Sequence, residues 1–96
     1  MEQTIIHNEQ KSRFELSVEG HLAHLDYLRG DGVLDMNHTL VPKALEGRGI
    51  GSALARFALD YAVANELKVI PTCPFVKVFI DRHPVYQPLT DLSNED

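Results

Sequence analysis

The sequence is poor in cysteine, in aromatic residues and in long apolar runs. With one cysteine among 96 residues, no disulfide can form within the chain, and a reducing compartment such as the cytoplasm is expected. Because no apolar stretch reaches about 18 residues and the N-terminal segment is mostly polar, neither a membrane span nor a secretory signal is predicted. The net charge of −5 argues against nucleic acid or an anionic membrane as a partner.

The chain length allows one hydrophobic core. Residues 1–96 are therefore expected to form a single domain, a monomer or a weak dimer, and 44% of the residues are hydrophobic, as is usual for a globular protein. The polar, acidic segment 90–96 is expected to be disordered.

Alternating apolar and polar residues predict strands in the first half of the chain. Residues 12–18, 22–28 and 33–41 alternate, and turn-forming residues separate them at 19–20 and 29–32, which indicates an antiparallel meander. Ile5 and Ile6 indicate a short edge strand before it. In the third strand of the meander, His38 alternates with Met36 and Leu40, so its imidazole is expected on the buried or cleft side of the sheet.

The pattern becomes helical after Pro42. Apolar residues recur at helical intervals over 49–65, and many alanines favour the same helix. A short strand over 67–73 follows, which would lie parallel to the third meander strand through a crossover. Residues 74–84 read as a short helix that begins at Pro74, although their β-branched residues leave a strand open. The fold class is α/β (α+β), with a mostly antiparallel sheet and two helices.

Three glycines, Gly47, Gly49 and Gly51, lie directly before the long helix. The first helical turn has unpaired backbone N–H groups and a positive dipole end, and glycine leaves room for an anion there. Arg48 adds a positive charge, so the loop can bind a phosphate group. A Walker loop needs a lysine that is absent, and a dinucleotide fingerprint needs a further glycine where this chain has Ser52 or Leu54. A flexible connector remains the alternative.

Three separated motifs carry a resemblance to a known family. The segment VPKALEGRGIGSAL at 41–54 resembles the acetyl-coenzyme A loop of the GNAT N-acetyltransferase superfamily, [QR]-x-x-G-x-[GA] between a strand and a long helix. The segments HTLVP at 38–42 and IPTCPFVKVFIDRHPVY at 70–86 resemble its minimal, YjdJ-type branch. Glu46 departs from the family pattern, which has glutamine or arginine at this position.

The resemblance implies a GNAT-like fold and transfer of an acetyl group from acetyl-coenzyme A (acetyl-CoA) to an amine, either a small polyamine or a lysine. The pantetheine arm would lie between two splayed parallel strands, residues 37–41 and 68–73, and bind their main chain. The expected acetyl-CoA-binding residues are Leu40, Val41, Glu46, Gly47, Arg48, Gly49, Ile50, Gly51, Ser52, Cys73 and Phe75.

Cys73 and His38 are the candidate catalytic residues. The resemblance puts Cys73 at the thioester end, where its thiol would take the acetyl group or only line the tunnel. His38 would deprotonate the amine or play a structural role. Tyr86 would protonate the leaving thiolate or only pack, and Arg82 would bind a phosphate or cap its helix.

No metal site is predicted, because His21 and His24 lie on opposite faces of one strand. Two further readings of the whole chain stay open: an acyl-CoA-binding or sensing module with little catalysis, and an interaction domain with no ligand. A coenzyme titration separates the last reading from the others.

Overall fold

The computed structural model describes residues 4–92 as one five-stranded sheet with two α-helices and two 3-10 helices. The strands are β1 (Ile6–Asn8), β2 (Arg13–Val18), β3 (His21–Gly30), β4 (Val33–Leu40) and β5 (Lys68–Ile70). The α-helices are α1 (Ile50–Ala64) and α2 (Pro74–Arg82), and the 3-10 helices span Lys43–Leu45 and Pro84–Thr90.

The sheet has the order β1-β2-β3-β4-β5, and its first four strands are antiparallel. This confirms the predicted meander and the edge strand at Ile6. Glu19 and Gly20 both have positive φ, 52° and 80°, as a tight hairpin turn requires.

The crossover is also as predicted. Strand β5 lies parallel to β4 through α1, with pairs from Val33–Lys68 to Asp35–Ile70. The strand is shorter than the predicted 67–73, because the chain leaves the ladder after Ile70 and turns into α2. Beyond the last ladder pair, the Cys73 N–H donates to the Met36 carbonyl at 2.9 Å.

A β-bulge in β4 changes which side chains face the core. Asp26 pairs with His38, but its neighbour Tyr27 pairs with Met36, so Asn37 is an extra residue in β4. An extra residue reverses the alternation of faces beyond it. Met36 is buried, whereas His38 and Leu40 are exposed on the opposite side. The expectation that His38 lies on the buried or cleft side with Met36 is therefore wrong.

The core lies between one face of the sheet and the helices. Phe14, Leu25 and Met36 from the sheet are fully buried against Leu54 and Leu59 of α1. Among the described residues, no helix is long and apolar enough to cross a membrane.

The C-terminal part of the chain holds a correction and an addition. Residues 74–82 are helical, as favoured, and Pro74 is the first residue of α2. The 3-10 helix Pro84–Thr90 was not predicted, and its buried Tyr86 joins the core. Thr90 belongs to this helix rather than to a disordered tail, and residues 93–96 of the predicted tail lie outside the described residues.

Candidate active site

The glycine loop makes the N-terminus of α1 accessible. Gly47 and Gly49 have φ of 82° and 75°, a conformation in which a Cβ atom is unfavourable. Gly49 is the N-cap, and the first helical bond is donated by the Ala53 N–H to the Gly49 carbonyl at 3.0 Å. No side chain caps this helix. The amides of residues 50–52 therefore point out of the helix end, where they can bind an anion.

Gly51 has a different role, because it allows α1 and α2 to approach each other. A Cβ at this position would lie 3.0 Å from Cζ of Phe75 and 3.5 Å from Cγ2 of Val41. The aromatic ring therefore lies directly against the first turn of α1.

A pocket of about 220 Å³ opens at this helix end. Eight of the predicted acetyl-CoA-binding residues line it, together with Leu45, which the sequence reasoning missed. The lining residues are Val41, Leu45, Glu46, Gly47, Gly49, Ile50, Gly51, Ser52 and Phe75. Leu40, Arg48 and Cys73 are the predicted residues that do not line it.

Beyond their last ladder pair, Asp35–Ile70, β4 and β5 are not paired as strands, and we call the space between them the seam. The pocket lies at one end of this seam, and Cys73 lies at the other end. It is the N-cap of α2, and 6% of its surface is exposed. Its Sγ is 3.5 Å from Oγ1 of Thr39, which the bulge turns toward this side of the sheet. Thr39 was not a candidate in the sequence, since the uninterrupted alternation would place it on the other face.

Comparison with known proteins agrees with this geometry. The family model of the GCN5-related N-acetyltransferases matches residues 13–89, which include strands β2 to β5, the glycine loop and Cys73. The chain belongs to this family.

Relatives and a solved structure extend the match. Protein NATD1 of Mus musculus is 33% identical over 91 residues, which cover 91% of this chain and 82% of the mouse protein. NATD1 of Homo sapiens is 39% identical over 64 residues, 67% of this chain and 57% of the human protein, so that match spans less than two thirds of the relative. The NMR structure of a GCN5-like protein from Staphylococcus aureus has a TM-score of 0.71 at 27% identity and covers 90% of this chain and 85% of that chain.

In this GCN5-related chain, the positive charge of the loop is paired outside the loop. The Arg48 guanidinium donates to the Glu19 carboxylate, at 3.3 and 3.4 Å. Glu19 lies in the β2–β3 turn, far away in sequence. Glu46 instead lines the pocket, with its main-chain N–H bonded to the Lys43 carbonyl at 3.2 Å.

His38 belongs to a cluster on the opposite face of the sheet. Its Nδ1 is 3.3 Å from one Asp26 carboxylate oxygen, and Nδ1 of His24 is 2.7 Å from the other. The imidazole therefore points away from the side on which Thr39 meets Cys73.

Tyr86 is placed to pack between helices. Its hydroxyl donates to the Asp60 carboxylate at 2.6 Å and accepts from Arg56 at 3.5 Å. Burial, with the adjacent Asp60, raises the pKa of Tyr86, so the phenol stays protonated at neutral pH. Tyr86 does not line the pocket at the N-terminus of α1. It also does not line a second groove, which lies beside that pocket and runs along α2.

Arg82 lies in that groove. The groove continues from Ser52 and Phe75 along the two helices to Arg82 and His83. Nδ1 of His83 donates to the Phe79 carbonyl at 2.8 Å, so a neutral His83 presents an unprotonated Nε2.

Proposed function

We propose that the protein is an N-acetyltransferase that moves an acetyl group from acetyl-CoA to a primary amine. The observation that carries this proposal is the glycine loop, whose free helix-end amides open on a pocket beside the seam between β4 and β5. Membership of the GCN5-related family supports the reaction class. The donor, the acceptor and the roles of individual residues are inferred.

The diphosphate of acetyl-CoA would bind the amides of residues 50–52. A negative group gains from several N–H donors and from the helix dipole at once. Glu46 opposes this binding by its charge, unless its exposed side chain turns to solvent. Arg48 would add attraction after leaving Glu19, and Arg82 would contribute from the groove.

The pantetheine arm would enter the seam beyond the last β4–β5 pair. Main-chain groups near Leu40 and Val41 border the side of β4 that β5 leaves unpaired, and strand addition suits an extended arm with amide groups. The thioester would then lie near Cys73 and Thr39. There the amine nitrogen would bond to the acetyl carbon, the carbon–sulfur bond would break, and the proton lost by the amine would be balanced by one gained by the leaving coenzyme A thiolate.

Cys73 has two proposed roles. Its thiol either lines the tunnel or takes the acetyl group before the amine does. Burial and the contact with Thr39 favour lining, because a buried cysteine in apolar surroundings is commonly inert. The assignment of His38 as the base stays a prediction, and its position on the far face lends it no support.

A cationic acceptor fits the charge of the protein. With a net charge of −5, the chain attracts polyamines and lysine side chains over anionic amines. A monomeric or weakly dimeric state and a cytoplasmic location stay predictions.

The test joins binding to turnover. Calorimetric titration with acetyl-CoA, together with amide chemical-shift mapping of residues 46–52, examines the donor site. Thiol release over a panel of polyamines, lysine peptides and neutral amines examines transfer. Binding with transfer to a cationic amine is expected. Binding without transfer to any amine would favour an acyl-CoA-binding module instead, and an absence of binding would refute both functions.

A further inference from the structure

Two imidazoles and a carboxylate converge on the face of the sheet opposite to the core. His24 and Asp26 lie two residues apart on β3, so their side chains share this face, and His38 pairs with Asp26 from β4. The structure brings together one potential ligand atom from each residue, and these atoms lie within 4.8 Å of one another.

The donor atoms are those that zinc prefers. Neutral imidazole nitrogen and carboxylate oxygen are common ligands of Zn²⁺, at about 2.0–2.2 Å, which places the ligand atoms of a tetrahedral site about 3.3–3.6 Å apart. The Nδ1 atoms of His24 and His38 are 2.7 and 3.3 Å from two different oxygens of the Asp26 carboxylate. To reach the tetrahedral spacing, the distance between His24 and Asp26 would have to lengthen by about 0.6–0.9 Å, and no pair of the three ligand atoms would have to close by more than about 1.5 Å.

The exposure of the three side chains is consistent with this adjustment. The side chains of His24 and Asp26 are 13% and 30% exposed, so neighbours pack against them. The His38 side chain is 57% exposed, so little packing opposes a rotation toward them, and only its contact with Asp26 has to rearrange. A neutral imidazole can bind a cation through Nδ1 by shifting its proton to Nε2, so no net proton loss is needed.

The neighbouring charges do not block a cation. Arg13 pairs with Asp26 across the strands, but its guanidinium is bound by the Glu15 carboxylate. Glu15 in turn lies opposite His24. The arginine charge beside the cluster is therefore compensated, and the net charge of −5 favours cations overall.

From this juxtaposition we propose that His24, Asp26 and His38 bind a zinc-class divalent cation. Three protein ligands leave at least one coordination position open to solvent, where water or another small ligand completes the site. Mg²⁺ and Ca²⁺ do not fit, since they require more oxygen ligands than one carboxylate supplies. This site is independent of acetyl-CoA binding, because it lies on the other face of the sheet from Cys73.

The experiment is a calorimetric titration of the tag-free chain of 96 residues with Zn²⁺. We expect one ion per chain, unaffected by excess Mg²⁺, and loss of at least tenfold in affinity in His38→Ala. Even the loss of a group that only orients a ligand lowers metal affinity by about 10- to 100-fold. The exposed His38 makes no core contact, and a thermal melt of the variant checks that it folds.

The matched control is His21→Ala, which removes an exposed histidine from the same strand but from the other face. It should bind Zn²⁺ as the wild type does. In the wild-type protein, Zn²⁺ should shift the imidazole NMR signals of His24 and His38 and leave those of His21 and His83 in place. No stoichiometric binding, equal loss in the two variants, or shifts confined to His21 or His83 would each overturn the site.

Discussion

Substitution of Gly49 by alanine separates the role of the glycine loop in folding from its role in binding. Gly49 has φ of 75°, and a Cβ built there meets nothing within 4 Å. The change therefore adds backbone strain without a clash in the free protein. The left-handed conformation disfavours alanine by about 1–2 kcal/mol, and the stiffer unfolded chain offsets about 0.4–1 kcal/mol of this. A net loss of about 1 kcal/mol lowers the Tm of a chain of this size by about 4–8 °C.

The effect on the donor should be larger. Gly49 lines the pocket, so the new methyl group would project beside the free amides of α1. Hydrogen bonds to a charged group contribute about 1.5–3 kcal/mol each. Loss of one such bond to the diphosphate predicts acetyl-CoA affinity lower by about 10- to 100-fold, measured by calorimetry at a temperature well below the Tm.

Gly32→Ala is the matched control. Gly32 has φ of 73°, its Cβ would also meet nothing within 4 Å, and it lies in the β3–β4 turn. The two variants should lose similar stability, and only Gly49→Ala should lose affinity. Unchanged affinity in Gly49→Ala, or an equal loss in Gly32→Ala, would refute the assignment of the helix end as the diphosphate site.

Three further predictions concern charge, chemistry and pH. Glu19→Gln should release Arg48 and raise acetyl-CoA affinity by up to about fivefold at low salt, since an exposed pair is worth about 0–1 kcal/mol; lower affinity in the titration would contradict this. If Cys73 only lines the tunnel, intact-mass analysis of protein incubated with acetyl-CoA should show no acetyl group on Cys73, and Cys73→Ser should keep the wild-type turnover. An acetyl increment that disappears in Cys73→Ser would contradict this role. Burial lowers the pKa of His7 in the folded protein, where the neutral imidazole is favoured. Because the unfolded chain binds a proton at His7 more readily than the folded protein does, the free energy of unfolding decreases as the pH falls below about 6.5. His7→Phe should show a smaller drop in Tm between about pH 7.5 and 5.5 than the wild type, and an unchanged drop would refute the assignment.

Much of the fold followed from local patterns. Strands β2, β3 and β4 show alternation that needs no knowledge of their partners, and α1 has both apolar spacing and alanine content. The glycine loop could also be predicted from the sequence. Glycines such as Gly47 and Gly49 directly before a helix indicate positive φ angles or a close approach of another group to the backbone.

Contacts between residues that are distant in the chain could not be predicted from the sequence. The pairing of Arg48 with Glu19 joins a loop to a hairpin turn 29 residues away, and no local pattern in the sequence indicates it. The sequence of the 3-10 helix at 84–90 lacks helical periodicity. The helix is held in place by its buried Tyr86, whose hydroxyl donates a hydrogen bond to Asp60 of α1. Tertiary packing decides such elements.

The bulge at Asn37 links the two candidate sites. Without the extra residue, β4 would keep one alternation, and Met36 and His38 would share the core face. The bulge instead turns Thr39 toward Cys73 and His38 toward Asp26. Its position also coincides with the point where β5 leaves β4, since the last ladder pair is Asp35–Ile70. One inserted residue therefore helps open the seam proposed for pantetheine on one side of the sheet and completes the histidine–aspartate cluster on the other. Deletion of Asn37 should consequently disrupt both sites, whereas His38→Ala should lower the affinity for Zn²⁺ and leave the affinity for acetyl-CoA unchanged.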